Sequence, residues 1–167
     1  KFVEHFLWIA SAMDRMGEQE DEMWDEQDGF FYDLLRLPNG ECSRLKVRSM
    51  VGLLPFCAAS VCESSSVWKF PEVAERMKAR LDENPELLLN IQDPRVGGVQ
   101  GRHLLAIMNE GKLRRVLARM LDPEEFLSDF GIRSLSRHHR EHPFVMAVDG
   151  QEFRVDYTPA ESSSGMF

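Results

Sequence analysis

Apolar residues recur every three or four positions in several parts of the chain, which is the spacing of one face of a helix. The first such stripe consists of Phe2, Phe6, Ile9, Met13 and Met16. The pattern predicts helices over residues 1–17, 55–63, 71–83 and 111–121. Prolines at the start of the second and third helices support these limits, because the missing N–H of proline costs nothing in the first helical turn.

Two more helix starts are predicted where a capping residue precedes a proline. Asn84-Pro85-Glu86 predicts a short helix through Leu89, and Asp122-Pro123-Glu124-Glu125 predicts another. Asn and Asp side chains can accept hydrogen bonds from the free amides of a first turn, and glutamates there favour the helix dipole. The glycine-rich segment 93–101 between these two starts is predicted to be a flexible loop.

Segments of alternating polarity around tight-turn dipeptides predict two β-hairpins. Phe30–Leu37 and Ser43–Val47 lie on either side of Asn39-Gly40, and Phe144–Val148 and Glu152–Tyr157 lie on either side of Asp149-Gly150. Asn-Gly and Asp-Gly readily adopt the positive φ that such turns require. The sequence therefore predicts a mainly α fold with β-hairpin insertions.

Composition narrows the classes of function. The chain has 167 residues, 43% of them hydrophobic, which is about one domain with enough apolar surface for a core. Its net charge of −8 argues against binding to a nucleic-acid backbone, and no apolar run approaches the roughly 18 residues of a membrane-spanning helix. Three cysteines, Cys42, Cys57 and Cys62, favour free thiols in a reducing cytoplasm, because they form neither a C-x-x-C pair nor a disulfide framework.

One histidine cluster matches a metal-site pattern. His138-His-Arg-Glu-His142 fits H-x-x-E-H, the inverted zinc-protease motif, which needs both terminal histidines on one helical face and a third ligand. Pro143 and a strand-like segment follow at once, so the supporting helix is not expected. We predict no metal at His138, His139 and His142. The glycines at 97, 98 and 101 match no phosphate-binding or dinucleotide-binding motif, and no cofactor is predicted.

The acidic and aromatic stretch 18–33 is the most informative part of the sequence. Its segment Trp24-Asp-Glu-Gln-Asp-Gly-Phe-Phe-Tyr32 interleaves rings with carboxylates. Such mixtures bind sugars, because ring faces stack on the C–H groups of the sugar while carboxylates accept hydroxyl hydrogen bonds. The other interpretation, with the rings in the core and the acids in solvent, is the stronger of the two on chemistry alone.

Three separated segments resemble a known family. Met23–Asp33, Arg48–Pro55 and Tyr157–Phe167 are similar, in this order, to segments of bacterial glucosidase-like members of glycoside hydrolase family 63, which are related to processing α-glucosidase and mannosylglycerate hydrolase. The resemblance implies a slice of an (α/α)6 barrel of the six-hairpin glycosidase type. On this view residues 1–167 are part of a single catalytic domain, truncated at both ends. The absence of a cap before the first helix and the apolar end at Phe167 fit an internal piece of a longer chain.

The resemblance also implies a reaction and a set of sugar-contacting residues. Family members invert the anomeric centre with two carboxyl groups roughly 6.5–9.5 Å apart. The catalytic acid is expected upstream of Lys1 and the base downstream of Phe167, so no residue of this chain is assigned as catalytic and the chain alone is expected to be inactive. The substrate-binding residues implied for an α-glucoside or related carbohydrate are Trp24, Asp25, Arg48, Glu161 and Phe167.

Each of these residues has an implied role. Trp24 would stack on the sugar, Asp25 and Glu161 would accept hydroxyl hydrogen bonds, and Arg48 would orient a carboxylate or a hydroxyl. Each could instead serve only packing or loop fixing. The alternative function is a non-catalytic helical protein-interaction module that uses residues 18–33 to engage a partner protein.

Overall fold

The structure is a computed structural model that describes residues 2–14, 21–63, 69–88, 91–148 and 150–159. It divides into two compact units. The first unit comprises Lys1–Trp24 and Leu54–Arg114, and the second comprises Asp25–Leu53 and Arg115–Phe167. Because each unit combines two separated stretches, contacts between residues far apart in sequence hold each of them together.

Helices and short strands alternate along the described residues. The α-helices are α1 (Phe2–Asp14), α2 (Pro71–Glu83) and α3 (Glu110–Met120). The strands are β1 (Trp24–Asp25), β2 (Phe30–Phe31), β3 (Asp33–Arg36), β4 (Cys42–Leu45), β5 (Ala59–Cys62), β6 (His103–Ala106), β7 (Leu127–Ser128), β8 (Gly131–Ile132), β9 (Phe144–Val148) and β10 (Gln151–Val155). Helices of the 3₁₀ type cover Met50–Ala58, Pro85–Leu88, Val99–Gly101 and Arg137–Arg140.

The first unit has an aliphatic core. Its buried residues are Leu7, Ala10, Leu81, Leu87, Ile91 and Ile107. In α2, Pro71 occupies the first turn and Leu81 reaches the core, with Met77 packed against it one turn earlier. α1 packs in the same way, because Leu7 and Ala10 are three residues apart and share a face. This face is displaced from the predicted stripe, in which Phe6 and Met13 are only partly buried and Ile9 is exposed. Burial of these faces, rather than helix propensity alone, stabilises both helices.

The second unit has an aromatic core and several hairpins. The Phe30 ring contacts the Tyr32 ring edge to face, with centroids 5.3 Å apart, and stacks on Phe126 at 5.7 Å. β3 pairs with β4, β7 with β8, and β9 with β10, each antiparallel. Gly40 and Gly150 have φ of 89° and 77° in the turns of the first and last of these hairpins. Only glycine adopts such values without strain.

The predicted fold class, a mainly α slice of an (α/α)6 barrel, is wrong for the described residues. They form a mixed α/β arrangement in which ten short strands make five two-stranded antiparallel sheets beside the helices. A barrel of helical hairpins needs pairs of long successive helices. Here strands or short 3₁₀ turns separate the described α-helices, so the expected six-hairpin architecture is wrong for these residues as well.

Individual elements were predicted with mixed success. Helices 71–83 and 111–121 and both hairpins are confirmed, as is the described part of helix 1–17. The helix over 55–63 is wrong, because a 3₁₀ helix ends at Ala58 and β5 then pairs with β6. The short helix after Asn84 is a 3₁₀ helix, Pro85–Leu88.

The predicted helix at Asp122-Pro123 is also wrong. The Asp122 carboxylate does accept the N–H of Glu124, at 2.8 Å, as an N-cap would. The backbone nevertheless closes into a turn, in which the Asp122 carbonyl accepts from both Glu125 and Leu127, and β7 begins at Leu127. The capping residue Asp122 therefore predicts the position of the turn correctly. A helix does not follow, because β7 begins at Leu127 and pairs with β8.

Candidate functional site

Two aspartates and a lysine form an ion cluster beside β1. Asp25 is 4% exposed, and its carboxylate accepts the N–H of Asp28 at 2.8 Å. Lys46, just after β4, places its Nζ 2.8 Å from Asp25 and 3.1 Å from Asp28. The turn between β1 and β2 is thus fixed by one lysine that contacts both carboxylates.

Arg48 is the next member of the cluster and is buried. Its Nη1 donates to Glu125 at 2.9 Å, its Nη2 to Asp28 at 3.2 Å, and its Nε to the Tyr32 hydroxyl at 3.2 Å. Each guanidinium nitrogen therefore already donates to a protein oxygen. The orientation of Arg48 is set from within the second unit.

Glu125 lies in the segment that follows α3 and links Arg48 to that segment. Arg119 forms an ion pair with its Oε1, and the Ser136 hydroxyl donates to its Oε2 at 2.9 Å. The backbone N–H of Arg48 donates to Nε2 of His139 at 2.8 Å, and its carbonyl accepts the N–H of Ser136 at the same distance. We call Asp25, Asp28, Tyr32, Lys46, Arg48, Glu125, Ser136 and His139 the polar network.

Ionisation in the polar network follows from its contacts. Burial works against the ionised forms of Asp25 and Asp28, but hydrogen bonds to Lys46 and the nearby positive charges outweigh it and lower the pKa of both carboxyls. Burial raises the pKa of the Tyr32 phenol, so the hydroxyl stays protonated and donates to Asp28 at 3.0 Å. At neutral pH the negative charges of Asp25 and Asp28 are therefore balanced by the positive charges of the neighbouring Lys46 and Arg48.

The residues implied by the family resemblance have different surroundings. Asp25 and Arg48 lie together in the polar network. Trp24 is buried in the first unit, where the Lys112 ammonium lies 5.2 Å from its ring centroid. Glu161 and Phe167 fall outside the described residues. Sugar contacts by these five residues stay predictions.

An open groove of about 710 Å³ lies beside the polar network in the second unit. It is lined by Pro123, Leu127, Ser128, Asp129, Phe130, Arg133, Arg137, Tyr157 and Pro159. Phe130, in the turn between β7 and β8, is 100% exposed. Its position between Asp129 and Gly131 in a turn-forming sequence could have marked an exposed ring, but sequence reasoning missed it.

The polar network supports one wall of this groove. The N–H of Arg137 donates to the carbonyl of Glu125 at 2.9 Å, and Arg133 donates to the carbonyls of Pro123 and Glu125 at 3.0 and 3.3 Å. Arg137 also pairs with the exposed Glu124. Arg133 therefore fixes the backbone, whereas Arg137 is held at the surface.

The histidines of the H-x-x-E-H match lie in and just after the 3₁₀ turn Arg137–Arg140. His138 and His142 face each other with ring centroids 4.6 Å apart, and His139 is directed into the polar network. No three His, Cys, Asp or Glu side chains among the described residues form a group that could hold a metal ion. The absence of a metal stays a prediction.

Two further features concern the cysteines and the lengths of the helices. Cys42, Cys57 and Cys62 are free thiols; Cys57 is exposed and the other two are half-buried. Within the described ranges, none of the helices has the length and apolar character needed to cross a bilayer.

Comparison with known proteins gives one curated relative. No protein-family model and no solved structure matches the chain. A protein of Saccharomyces cerevisiae named "Uncharacterized protein YMR196W" is 38% identical over 179 residues. The match covers 100% of this chain but only 16% of the yeast protein. This chain is thus similar to one short part of a much longer protein.

Proposed function

We propose that this chain contributes a carbohydrate-binding groove to an inverting glycoside hydrolase of the α-glucosidase type. The observation that carries the proposal is the groove with Phe130 and Tyr157 among its lining residues, beside Asp129 and Arg137. Aromatic rings next to exposed charged groups are suited to sugars, which present C–H faces and hydroxyl groups together.

The family resemblance supports the same proposal. Tyr157 is the first residue of the third similar segment, and it lines the groove. The other two segments supply Asp25 and Arg48 to the polar network, which holds the backbone at Glu125 and Arg137. In this proposal Asp25 and Arg48 position the groove, and residues outside this chain supply the two catalytic carboxyls. A cytoplasmic location belongs to the same proposal.

The protein-interaction alternative has less support from the described part of residues 18–33. Asp25 and Asp28 are paired with Lys46 and Arg48, and the exposed Glu26 is paired with Arg115. Carboxylates that already form ion pairs within the chain leave less negative charge to attract a basic partner protein.

Titration of the full 167-residue chain with maltose, followed by NMR amide shifts, tests the proposal. We expect millimolar binding, with saturable shifts concentrated at residues 127–137 and 157–159. Tyr157→Ala should weaken binding at least about fivefold, since a lost stacking contact costs about 1 kcal/mol. Phe153→Ala is the matched control, because Phe153 is exposed on β10 and does not line the groove.

Three results would contradict the proposal: no saturable shift, shifts located away from the groove, or equal weakening by both substitutions. The same preparation should not hydrolyse 4-nitrophenyl α-glucoside. Turnover that is lost when a carboxylate within residues 1–167 is replaced would mean that the catalytic pair lies in this chain.

A further inference from the structure

His139 is a titratable side chain buried inside the polar network. It is 3% exposed and lies in the turn Arg137–Arg140. Ser136 caps this turn, because its hydroxyl accepts the N–H of His138 at 3.2 Å. The carbohydrate-binding groove does not use the imidazole, so its burial requires another explanation.

Both ring nitrogens of His139 have hydrogen-bond partners of fixed type. Nε2 lies 2.8 Å from the backbone N–H of Arg48, which can only donate, so Nε2 must be the unprotonated acceptor. Nδ1 lies 2.8 Å from the carbonyl oxygen of His142, which can only accept, so Nδ1 must carry the proton. The geometry therefore requires the neutral Nδ1–H tautomer.

A second proton would break this arrangement. It would be added at Nε2 and would point at the N–H of Arg48, replacing a hydrogen bond by two opposed donors. The charged groups that face the ring from neighbouring segments are the Arg48 guanidinium and the Glu125 carboxylate, and His138 and His142 face it from its own segment. Glu125 is already compensated by Arg48 and Arg119, so it offers limited stabilisation to an imidazolium.

We propose that His139 is a pH-sensitive latch between the segment that carries Arg48 and the turn Arg137–Arg140. In its neutral form it adds a second tie beside the hydrogen bond from the Ser136 N–H to the Arg48 carbonyl; on protonation it releases the Arg48 amide, leaves the Ser136 bond in place and loosens the turn. Because Arg137 belongs to this turn and lines the groove, the latch controls how firmly that wall is held. The latch does not depend on what the groove binds.

The direction of the titration agrees with this geometry. Burial lowers the pKa of His139; the hydrogen bond to the His142 carbonyl opposes this shift, and the Arg48 charge adds to it. The unfolded chain has a histidine pKa of about 6.5, so the folded state takes up the proton less readily. The latch is therefore closed above about pH 6.5 and opens as the pH falls through the lower folded-state pKa.

NMR of the wild-type chain between pH 7.5 and pH 5 tests the latch directly. Imidazole ¹⁵N shifts of His139 should show the Nδ1–H tautomer at pH 7.5. The hydrogen-exchange protection factor of the Arg48 amide should fall about tenfold or more by pH 5, as expected when a buried donor loses its acceptor. The Nε2–H tautomer at pH 7.5, or an unchanged protection factor, would overturn the proposal.

Two glutamine variants assign the titration to a residue. In His139→Gln the amide can still accept from Arg48 and donate to His142 but cannot titrate, so the Arg48 protection factor should no longer depend on pH. His142→Gln is the control: its backbone carbonyl is kept and its exposed ring is lost, so the pH dependence should persist. Persistence in the first variant, or loss in the second, would refute the latch. If His139→Gln does not fold, the wild-type titration decides.

Discussion

Arg48 is the residue on which the buried charges of the second unit converge. It contacts Asp28, Tyr32 and Glu125 through three different nitrogens. A planar guanidinium suits this task, because its donors have fixed directions and it remains charged when buried. A lysine at the same place would offer one point charge and could not reach three acceptors in the same geometry.

Arg48→Met should lower the free energy of unfolding by roughly 2–4 kcal/mol. Removing one member of a buried ion pair leaves the other charge without its partner, which is strongly destabilising. The expected loss is at the lower end of the usual cost of breaking such a pair, because Glu125 still forms its ion pair with Arg119. Urea denaturation at pH 7 measures the change. Arg154→Met is the matched control, because its ion pair with Asp156 is exposed and screened by solvent, so its loss should change stability little. Equal losses in the two variants would show that Arg48 has no special role.

Gly52 allows close packing against the aromatic core. A Cβ atom at this position would collide with the Phe30 ring and with the carbonyl oxygen of Phe31. Gly52→Ala should therefore destabilise the protein by about 1–3 kcal/mol, the usual cost of overpacking. Gly111→Ala in α3 meets only an ordinary contact at 3.4 Å and should be neutral or stabilising, by up to about 1 kcal/mol, because alanine favours helices. Thermal or urea unfolding that ranks the two variants in the opposite order would contradict this packing argument.

At the scale of single elements, α2 has an N-terminus that can be improved. Phe70 occupies the N-cap position, makes no side-chain cap hydrogen bond and is largely exposed. Phe70→Asp should raise the free energy of unfolding by about 0.5–1 kcal/mol, because a carboxylate there can accept first-turn N–H groups and interacts favourably with the dipole. Lys69→Asp places a carboxylate one residue earlier, outside the cap position, and lowers the net charge by two units instead of one, yet it should give a smaller gain. A larger gain from Lys69→Asp would point to net charge rather than capping.

Local chemistry explains which elements the sequence predicts correctly. Pro71 and the spacing of Met77 and Leu81 act within a single helix, and the positive φ of Gly40 acts within one turn. β5 is different, since Ala59–Cys62 becomes a strand only by pairing with His103–Ala106, more than forty residues away. A helical stripe over 55–63 carries no information about that partner. Non-local pairing therefore overrides local preference there.

The same limit applies to the site at the scale of the whole molecule. Asp25 and Arg48 could be singled out from the sequence by resemblance, and the structure brings them into one network. Their partners could not be identified, because Arg48 is separated by 77 residues from Glu125 and by 91 from His139. The exposed ring of Phe130 was missed for another reason: hydrophobic pattern predicts burial for an apolar residue, and only the turn-forming neighbours Asp129 and Gly131 indicate otherwise.

Acid stability is the property in which the polar network should act as a whole. Asp25 and Asp28 have lowered pKa values: burial alone would raise them, but the contacts with Lys46 and the neighbouring positive charges prevail. An aspartate in the unfolded chain titrates near pH 3.9, so the unfolded state binds protons first as the pH falls. The stabilisation is therefore complete above about pH 4 and is lost as the pH falls through the lower folded-state values.

Asp28→Asn should remove part of this pH dependence. Urea denaturation between pH 6 and pH 2.5 should show the variant less stable than wild type at pH 6, with the difference shrinking as the pH falls through the lowered pKa of the Asp28 carboxyl. Asp33→Asn removes one carboxylate at an exposed position in β3; it is the control and should cost less stability at pH 6 than Asp28→Asn. A difference between wild type and Asp28→Asn that stays constant with pH would show that Asp28 stabilises the fold by hydrogen bonding alone, without a contribution from its charge.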